Sequence, residues 1–137
     1  MLEHEGYAVM GAAFEVYNTL GFGFLKEVYQ QSLEIEFARR QITYQAQHEF
    51  PLHYKEVRLQ KRYIADLVAY DQMIIELKAV RELTPDHMAQ LVNYLKAAGL
   101  AVGYLINFGR ADKLEWKRVI FTPDGKKTSP LIFTNSH

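Results

Sequence analysis

Apolar residues recur at helical spacing through residues 5–20, where Val9, Met10, Ala13, Phe14 and Tyr17 fall on one face and Gly21 supplies a stop. Gly21-Phe22-Gly23 reads as a turn. Residues 24–40 then form a second helix with Leu25, Val28, Tyr29, Leu33 and Phe37 along its apolar side. From there the period changes. Residues 42–54 are extended, with Pro51 predicting an edge position or an irregularity, and Lys55-Glu56 turns the chain into a short segment, 57–60. Residues 62–70 and 73–80 are rich in β-branched and aromatic side chains and flank the turn signal Asp71-Gln72. A third helix opens with Thr84 as cap, Pro85 at the first helical position and Asp86 in the first turn. Met88, Leu91, Val92 and Leu95 are its buried stripe and Gly99 its end. Residues 100–108 are apolar almost throughout, as a central buried strand requires, and residues 116–121 supply a last strand. The order α-α-β-β-β-β-α-β-β predicts an α/β sandwich in which helices cover a mixed sheet.

At 137 residues and 49% hydrophobic, the chain can bury the core of one compact domain, expected over residues 1–121. Residues 122–137, with Pro123, Gly125 and Pro130, form a tail expected to be partly ordered or to dock as a short strand. Sixteen Lys and Arg balance 16 Asp and Glu, so no global basic field draws nucleic acid and any such face must be a local patch. The absence of cysteine excludes disulfides and thiolate metal sites and fits a reducing cytoplasm. The opening MLEHEGYAVM lacks the basic start and apolar run of a signal peptide, and no run approaches a membrane span. A soluble cytoplasmic protein is expected.

Candidate chemistry gathers at Asp66 and, ten residues on, at Glu76-Leu77-Lys78. Strand interiors avoid charge, so three ionisable groups in two adjoining strands need a reason. Two carboxylates can hold a hard divalent cation, and a lysine can supply positive charge to a phosphate or to an attacking water. Glu76 and Lys78, two apart, share a strand face. Asp66 joins them only if it lies opposite Glu76, which centres the turn on Asp71 and requires an odd-numbered loop or a bulge. A two-residue turn would set Asp66 opposite Leu77, on the wrong face. Spacing alone favours a plainer account, three solvent-facing charges on a half-exposed sheet.

Other features carry less. His87, Gln90 and Tyr94 make a polar-aromatic stripe on the third helix, although a surface role is the simpler account of His87. His4, His48, His53 and His137 have no metal-ligand spacing. Gly21 and Gly23 lack the rest of a phosphate-loop fingerprint. The nine Tyr and eight Phe fall mostly at core spacing rather than on a stacking platform. Lys113, Lys117, Arg118, Lys126 and Lys127 give the C-terminal region a basic lean that a solvated surface explains.

Five stretches occur in order: LGFGFLKEVY at residues 20–29, Ala65-Asp66-Leu67, Glu76-Leu77-Lys78-Ala79-Val80, residues 83–94, and Leu105-Ile106-Asn107-Phe108-Gly109. Together, over residues 5–120, they resemble the GxxExxY family of the PD-(D/E)XK nuclease superfamily. The resemblance implies a restriction-endonuclease-like mixed sheet flanked by helices, and a metal-dependent nuclease acting on nucleic-acid phosphodiesters. It implies that Asp66 and Glu76 ligate Mg²⁺ or Mn²⁺, with the Leu77 carbonyl as a further ligand, and that Lys78 is the active-site lysine. Gln90 and Tyr94 match the QxxxY helix element of RecB-like members and would support the site or touch the nucleic-acid backbone. DNA ahead of RNA is the implied partner, and a homodimer would let both strands be cut. The chain departs from the pattern at one point. Lys26 stands where Gly23-x-x-Glu-x-x-Tyr29 calls for Glu, with Glu27 next to it. Glu15 could supply the missing acid, or the Lys26 ammonium could pair with Asp66 or Glu76 and take a metal's place. The second case would leave a catalytically impaired nuclease-fold module that binds nucleic acid or a protein partner.

Overall fold

Three helices pack on the two faces of one six-stranded sheet in the computed structural model, which describes residues 1–122 and the backbone of residues 131–134. In chain order the elements are α1 (Glu3–Leu20), α2 (Lys26–Arg39), β1 (Tyr44–Tyr54), β2 (Val57–Ala69), β3 (Met73–Lys78), α3 (Pro85–Ala98), β4 (Val102–Asn107), β5 (Glu115–Ile120) and β6 (Leu131–Thr134). The strands lie side by side in that same order. Only β3 and β4 run parallel, because α3 carries the chain back between them; the other neighbours are antiparallel. Within the expected tail, β6 pairs with β5, and residues 123–130 and 135–137 fall outside the described part.

The helices divide by face. On one side, Val9 and Ala13 of α1 and Leu33 and Phe37 of α2 join Leu67, Ile75, Leu77 and Ile106 of the sheet. On the other, Leu91 and Leu95 of α3 join Ala65, Ile74, Leu105 and Val119. Every residue of β4 is buried, which is why its sequence shows a continuous apolar run instead of alternation. α3 keeps its expected signals: the Thr84 hydroxyl accepts from His87 N–H, and the His87 ring accepts from Thr84 N–H at 3.0 Å. His87 is thus a helix-cap residue. The helix closes at Gly99, whose φ of 71° is the left-handed conformation glycine adopts without strain.

Some expectations need correction. Residues 57–60 and 62–69 form one long strand rather than two, so three strands, not four, separate α2 from α3. No turn-forming residue divides them, and Gln60-Lys61 is tolerated because this half of the strand is exposed. The buried stripe of α2 is Tyr29, Gln30, Leu33 and Phe37, whereas Leu25 is 76% exposed. Leu25 is the cap, outside the helix, and Val28 points about 100° away from Tyr29 by the helical period. Phe14 of α1 is likewise on the solvent side.

The crossover from β3 to α3 is pinned by Asn107, fully buried at the end of β4. Its Oδ1 accepts from Val80 N–H (2.9 Å) and Gly109 N–H (3.0 Å), while its Nδ2 donates to the Val80 carbonyl and to Glu115 Oε1. Glu115 Oε1 also accepts from Leu83 N–H at 3.0 Å. Buried backbone groups that lie outside the ladders are thereby satisfied. The same crossing brings Gly109 so close to Val80 that an added Cβ would lie 2.3 Å from the Val80 carbonyl oxygen. We therefore expect Gly109→Ala to lower unfolding stability by about 1–3 kcal/mol through backbone displacement. Urea denaturation measures it, and an unchanged midpoint would mean that the β3 exit is looser than the packing shows.

Candidate functional site

The site begins with the β2–β3 turn. Ala69 pairs with Met73, so the loop is the three residues Tyr70, Asp71 and Gln72, with φ of 57° at Tyr70 and 58° at Asp71. The paired residues Leu67–Ile75, Val68–Ile74 and Ala69–Met73 extrapolate to Asp66 opposite Glu76, the register that brings the two acids together. At that point the strands part, and side chains replace the ladder. Leu77 N–H donates to Asp66 Oδ2 at 2.8 Å, and Asp66 N–H donates to Glu76 Oε2 at 3.1 Å. Each acid caps the backbone of the other's strand. This reciprocal bonding lets two carboxylates sit almost fully buried in a sheet interior.

A second irregularity aims Asp66. Ala65 and Val68 both pack on the α3 face although three residues apart, while Leu67 packs beneath α1 and α2. The alternation of β2 therefore slips by one at Asp66. Its neighbour across β1 is Gln47, whose φ of 52° is left-handed. The carboxylate consequently reaches the first turn of α2, where Lys26 Nζ lies 3.0 Å from Asp66 Oδ1. Gln30, one turn further along α2, donates to the Asp66 carbonyl at 3.0 Å and to Glu34 at 3.1 Å.

Tyr29 fixes the start of α2. Its hydroxyl donates to the Gly21 carbonyl at 2.6 Å and accepts from Phe24 N–H at 3.3 Å. Its ring stacks on Phe108 at 4.6 Å. Gly21 and Gly23 adopt φ of 72° and 107°, so the tight turn needs their freedom. Residues 26, 29 and 30 share one helix face, and the buried tyrosine therefore presents position 26 to the sheet. The Gly-x-x-x-x-x-Tyr spacing has a mechanical cause here.

Of the remaining sequence candidates, Lys78 follows Glu76 on β3 and is half-buried. Among the described residues no hydrogen bond or ion pair engages its ammonium. Tyr94 stacks at 3.5 Å on Tyr63, whose hydroxyl donates to Glu76 Oε2 at 2.6 Å. Gln90, a turn before Tyr94, is exposed, and among the described residues no hydrogen bond ties it to the acids. Glu15 bonds Thr19 and lies 3.9 Å from Arg40, so it serves α1 rather than the site, and Glu27 is exposed. Among the described residues no three acidic or histidine side chains gather as a metal cluster. For a hard cation the site offers the Asp66 and Glu76 carboxylates, with the Lys26 ammonium against Oδ1. A cleft of about 690 Å³ lined by Tyr7, Met10, Phe14, Tyr104 and Trp116 lies under α1 and includes none of these residues.

Tyr63 and Gln30 escaped the sequence reading, and Asn107 entered it only within a quoted motif, with no role assigned. Asn107 left a signal, a polar residue inside an apolar run. Tyr63 and Gln30 left none, since a strand tyrosine and a helix glutamine are ordinary.

Burial, then the neighbouring Asp66 charge, push Glu76 up to about 7, against the opposing pull of the Tyr63 hydroxyl, the Asp66 N–H and Lys26. Burial and the Glu76 charge likewise raise Tyr63 far above its ordinary value and Tyr94 in the same direction. Because the folded-state value of Glu76 lies above the unfolded one of 4.5, its contribution is full below about pH 4.5 and is lost as pH rises through about 7. The metal-free protein should thus lose stability on the order of 3 kcal/mol across that window, and Glu76→Gln should flatten the profile and be the more stable at pH 8. Thermal unfolding at pH 4.5, 6 and 8 in EDTA checks this; parallel profiles would mean that folding does not raise Glu76.

No curated protein and no solved structure matches the chain. The model of the PD-(D/E)XK nuclease superfamily matches residues 3–119, from the first residue of α1 to Val119 in β5. This span contains the fork of Asp66 and Glu76 and both faces of the sheet, and the chain belongs to the PD-(D/E)XK nuclease superfamily.

Proposed function

We propose that this protein is a metal-dependent nuclease of the GxxExxY type, hydrolysing phosphodiester bonds in nucleic acid, DNA ahead of RNA. The observation that supports it most is the fork itself, where Asp66 and Glu76 are set opposite each other, the Asp66 carboxylate held by Leu77 N–H and the Glu76 carboxylate by Asp66 N–H. PD-(D/E)XK nucleases generally use divalent metals. The donor set suits one hard cation, Mg²⁺ or Mn²⁺: two carboxylates from adjacent strands, with the Leu77 carbonyl as a further ligand. Room at Asp66 requires Lys26 to swing away, and its side chain is 42% exposed and free to do so. Such an ion would supply Lewis-acid polarisation of the phosphate and ease deprotonation of the attacking water. The protein's part is positioning and charge. Lys78, with no partner of its own among the described residues, would orient the water and offset charge at the scissile phosphate. Tyr63, buttressed by Tyr94, fixes the rotamer of Glu76.

One observation favours a second reading. The Lys26–Asp66 ion pair already fills the cation's place, as a nuclease-fold module that binds nucleic acid or a protein without turnover would have it. Cleavage of end-labelled single- and double-stranded DNA and RNA, with Mg²⁺, Mn²⁺ or EDTA, decides between them. Wild type should cut in a metal-dependent manner, and Lys78→Ala should stay folded yet fall by at least 10²-fold. No cutting under any condition would leave the binding module.

The ion pair makes its own prediction. Lys26→Glu should lower stability in EDTA by about 1–3 kcal/mol, since Asp66 would lose its partner and gain a like charge. Mg²⁺ or Mn²⁺ should restore that loss and bind at least tenfold more tightly than to wild type in titration calorimetry. Equal affinities would show that position 26 is remote from the metal.

A further inference from the structure

Beyond the fork, β1 and β2 run on as a ribbon without a third strand. The pairing of β2 with β3 spans only Leu67–Ala69, and every residue from 53 to 62 is exposed. The ribbon turns through Lys55-Glu56, with Tyr54 opposite Val57, and its register shifts between Pro51 and His53. Its composition differs from the rest of the chain. Residues 53–62 contain Lys55, Arg58, Lys61 and Arg62 against the single acid Glu56, in a protein of zero net charge. Arg62 is paired with Glu49 at 2.6 Å, but among the described residues Lys55, Arg58 and Lys61 have no ion pair. Tyr54 is 65% exposed with the Lys55 ammonium 5.5 Å from its ring centre.

We propose that this basic two-stranded arm grips the phosphate backbone of a nucleic-acid duplex whose neighbouring phosphodiester lies at the fork. The inference rests on the nuclease reading and deepens it by assigning the substrate's second contact. Charge complementarity favours this occupant: positive groups are concentrated on an arm that continues the strand carrying Asp66. Arg58 lies eight residues from Asp66 along β2, roughly 25 Å at the rise of an extended strand. At about 3.4 Å per base pair, the arm reaches phosphates about seven pairs from the fork. A two-stranded ribbon also fits the major groove of B-DNA, about 12 Å wide. The plainer account is that lysine and arginine merely keep an exposed ribbon from pairing with other chains. Negative side chains also deter such pairing, which makes charge reversal the discriminating test.

The experiment measures binding of a fluorescent 20-base-pair DNA duplex by anisotropy, in EDTA, from 50 to 200 mM NaCl. Wild type is compared with Arg58→Glu/Lys61→Glu and with a control, Arg39→Glu/Lys96→Glu, that changes net charge equally elsewhere on the surface. The arm variant should bind at least tenfold more weakly than the control and lose about two units from the slope of log K against log salt. Arm and control variants binding alike, or a wild type that binds no duplex at 50 mM salt, would overturn the proposal. An arm variant that releases DNA while wild type never cuts would keep the arm and sink the nuclease. Metal-dependent cutting with the arm variant still bound as tightly as the control would do the reverse.

Discussion

The structure turns on one constraint, that two strands can separate inside a sheet only if their freed backbone groups find new partners. Asp66 and Glu76 provide those partners for each other's strands, through Leu77 N–H and Asp66 N–H. A carboxylate buried in this way is stabilised by the donors and destabilised by desolvation and by its twin. Glu76 shows the balance, raised to about 7 by burial and by Asp66 despite three groups that pull it down. Ionising Glu76 in the folded protein is therefore disfavoured below about pH 7. A cation held between the acids, as proposed above, would favour the ionised form and so couple binding to protonation.

Lys26 gives that charge a resident partner. In the metal-free protein its ammonium against Asp66 Oδ1 offsets the repulsion that an acid at position 26 would increase. The pair is asymmetric, with Asp66 buried and Lys26 half-exposed, so water screens the lysine end and its release is easier than that of a fully buried pair. The presentation of position 26 is nevertheless rigid. Tyr29, bonded to the Gly21–Phe24 turn and stacked on Phe108, holds the first turn of α2 in place whichever side chain it bears. Geometry at this position is thus separable from the charge of the side chain that occupies it.

Much of this was legible in the sequence, for identifiable reasons. α3 carried its cap, proline and terminal glycine where the structure has them, and β4 showed the uninterrupted apolar run of a strand buried on both faces. The Asp66–Glu76 register was readable as a choice between two turns, because alternation in a strand makes a one-residue shift decisive. Pro51 marked both an edge strand and a register shift. The length of β2 was not legible, since its outer half packs on nothing and so leaves no hydrophobic pattern. Nor was the bond from Tyr63 to Glu76, which depends on a slip in alternation that composition does not record. Whether Lys26 would face Asp66, Glu76 or solvent also stayed open, for helix position alone does not settle where a flexible four-carbon chain ends.

The slip at Asp66 links the fork to the arm. Were β2 to alternate regularly from Val57 to Ala69, Asp66 would project squarely from one face and the ribbon would continue in line with the sheet. The left-handed Gln47 and the slipped alternation opposite it form one irregularity shared by both strands, of the kind that bends paired strands locally. The slip turns the carboxylate toward α2, while the course of residues 53–62 depends on it together with the register shift between Pro51 and His53. The aim of the acid and the aim of the basic arm thus share one structural determinant, and the arm has a second of its own at Pro51–His53. Were the arm to hold a duplex as proposed, a backbone shift at the Asp66 slip would also move Asp66 relative to Lys26, and the arm's contact would then be coupled to that ion pair.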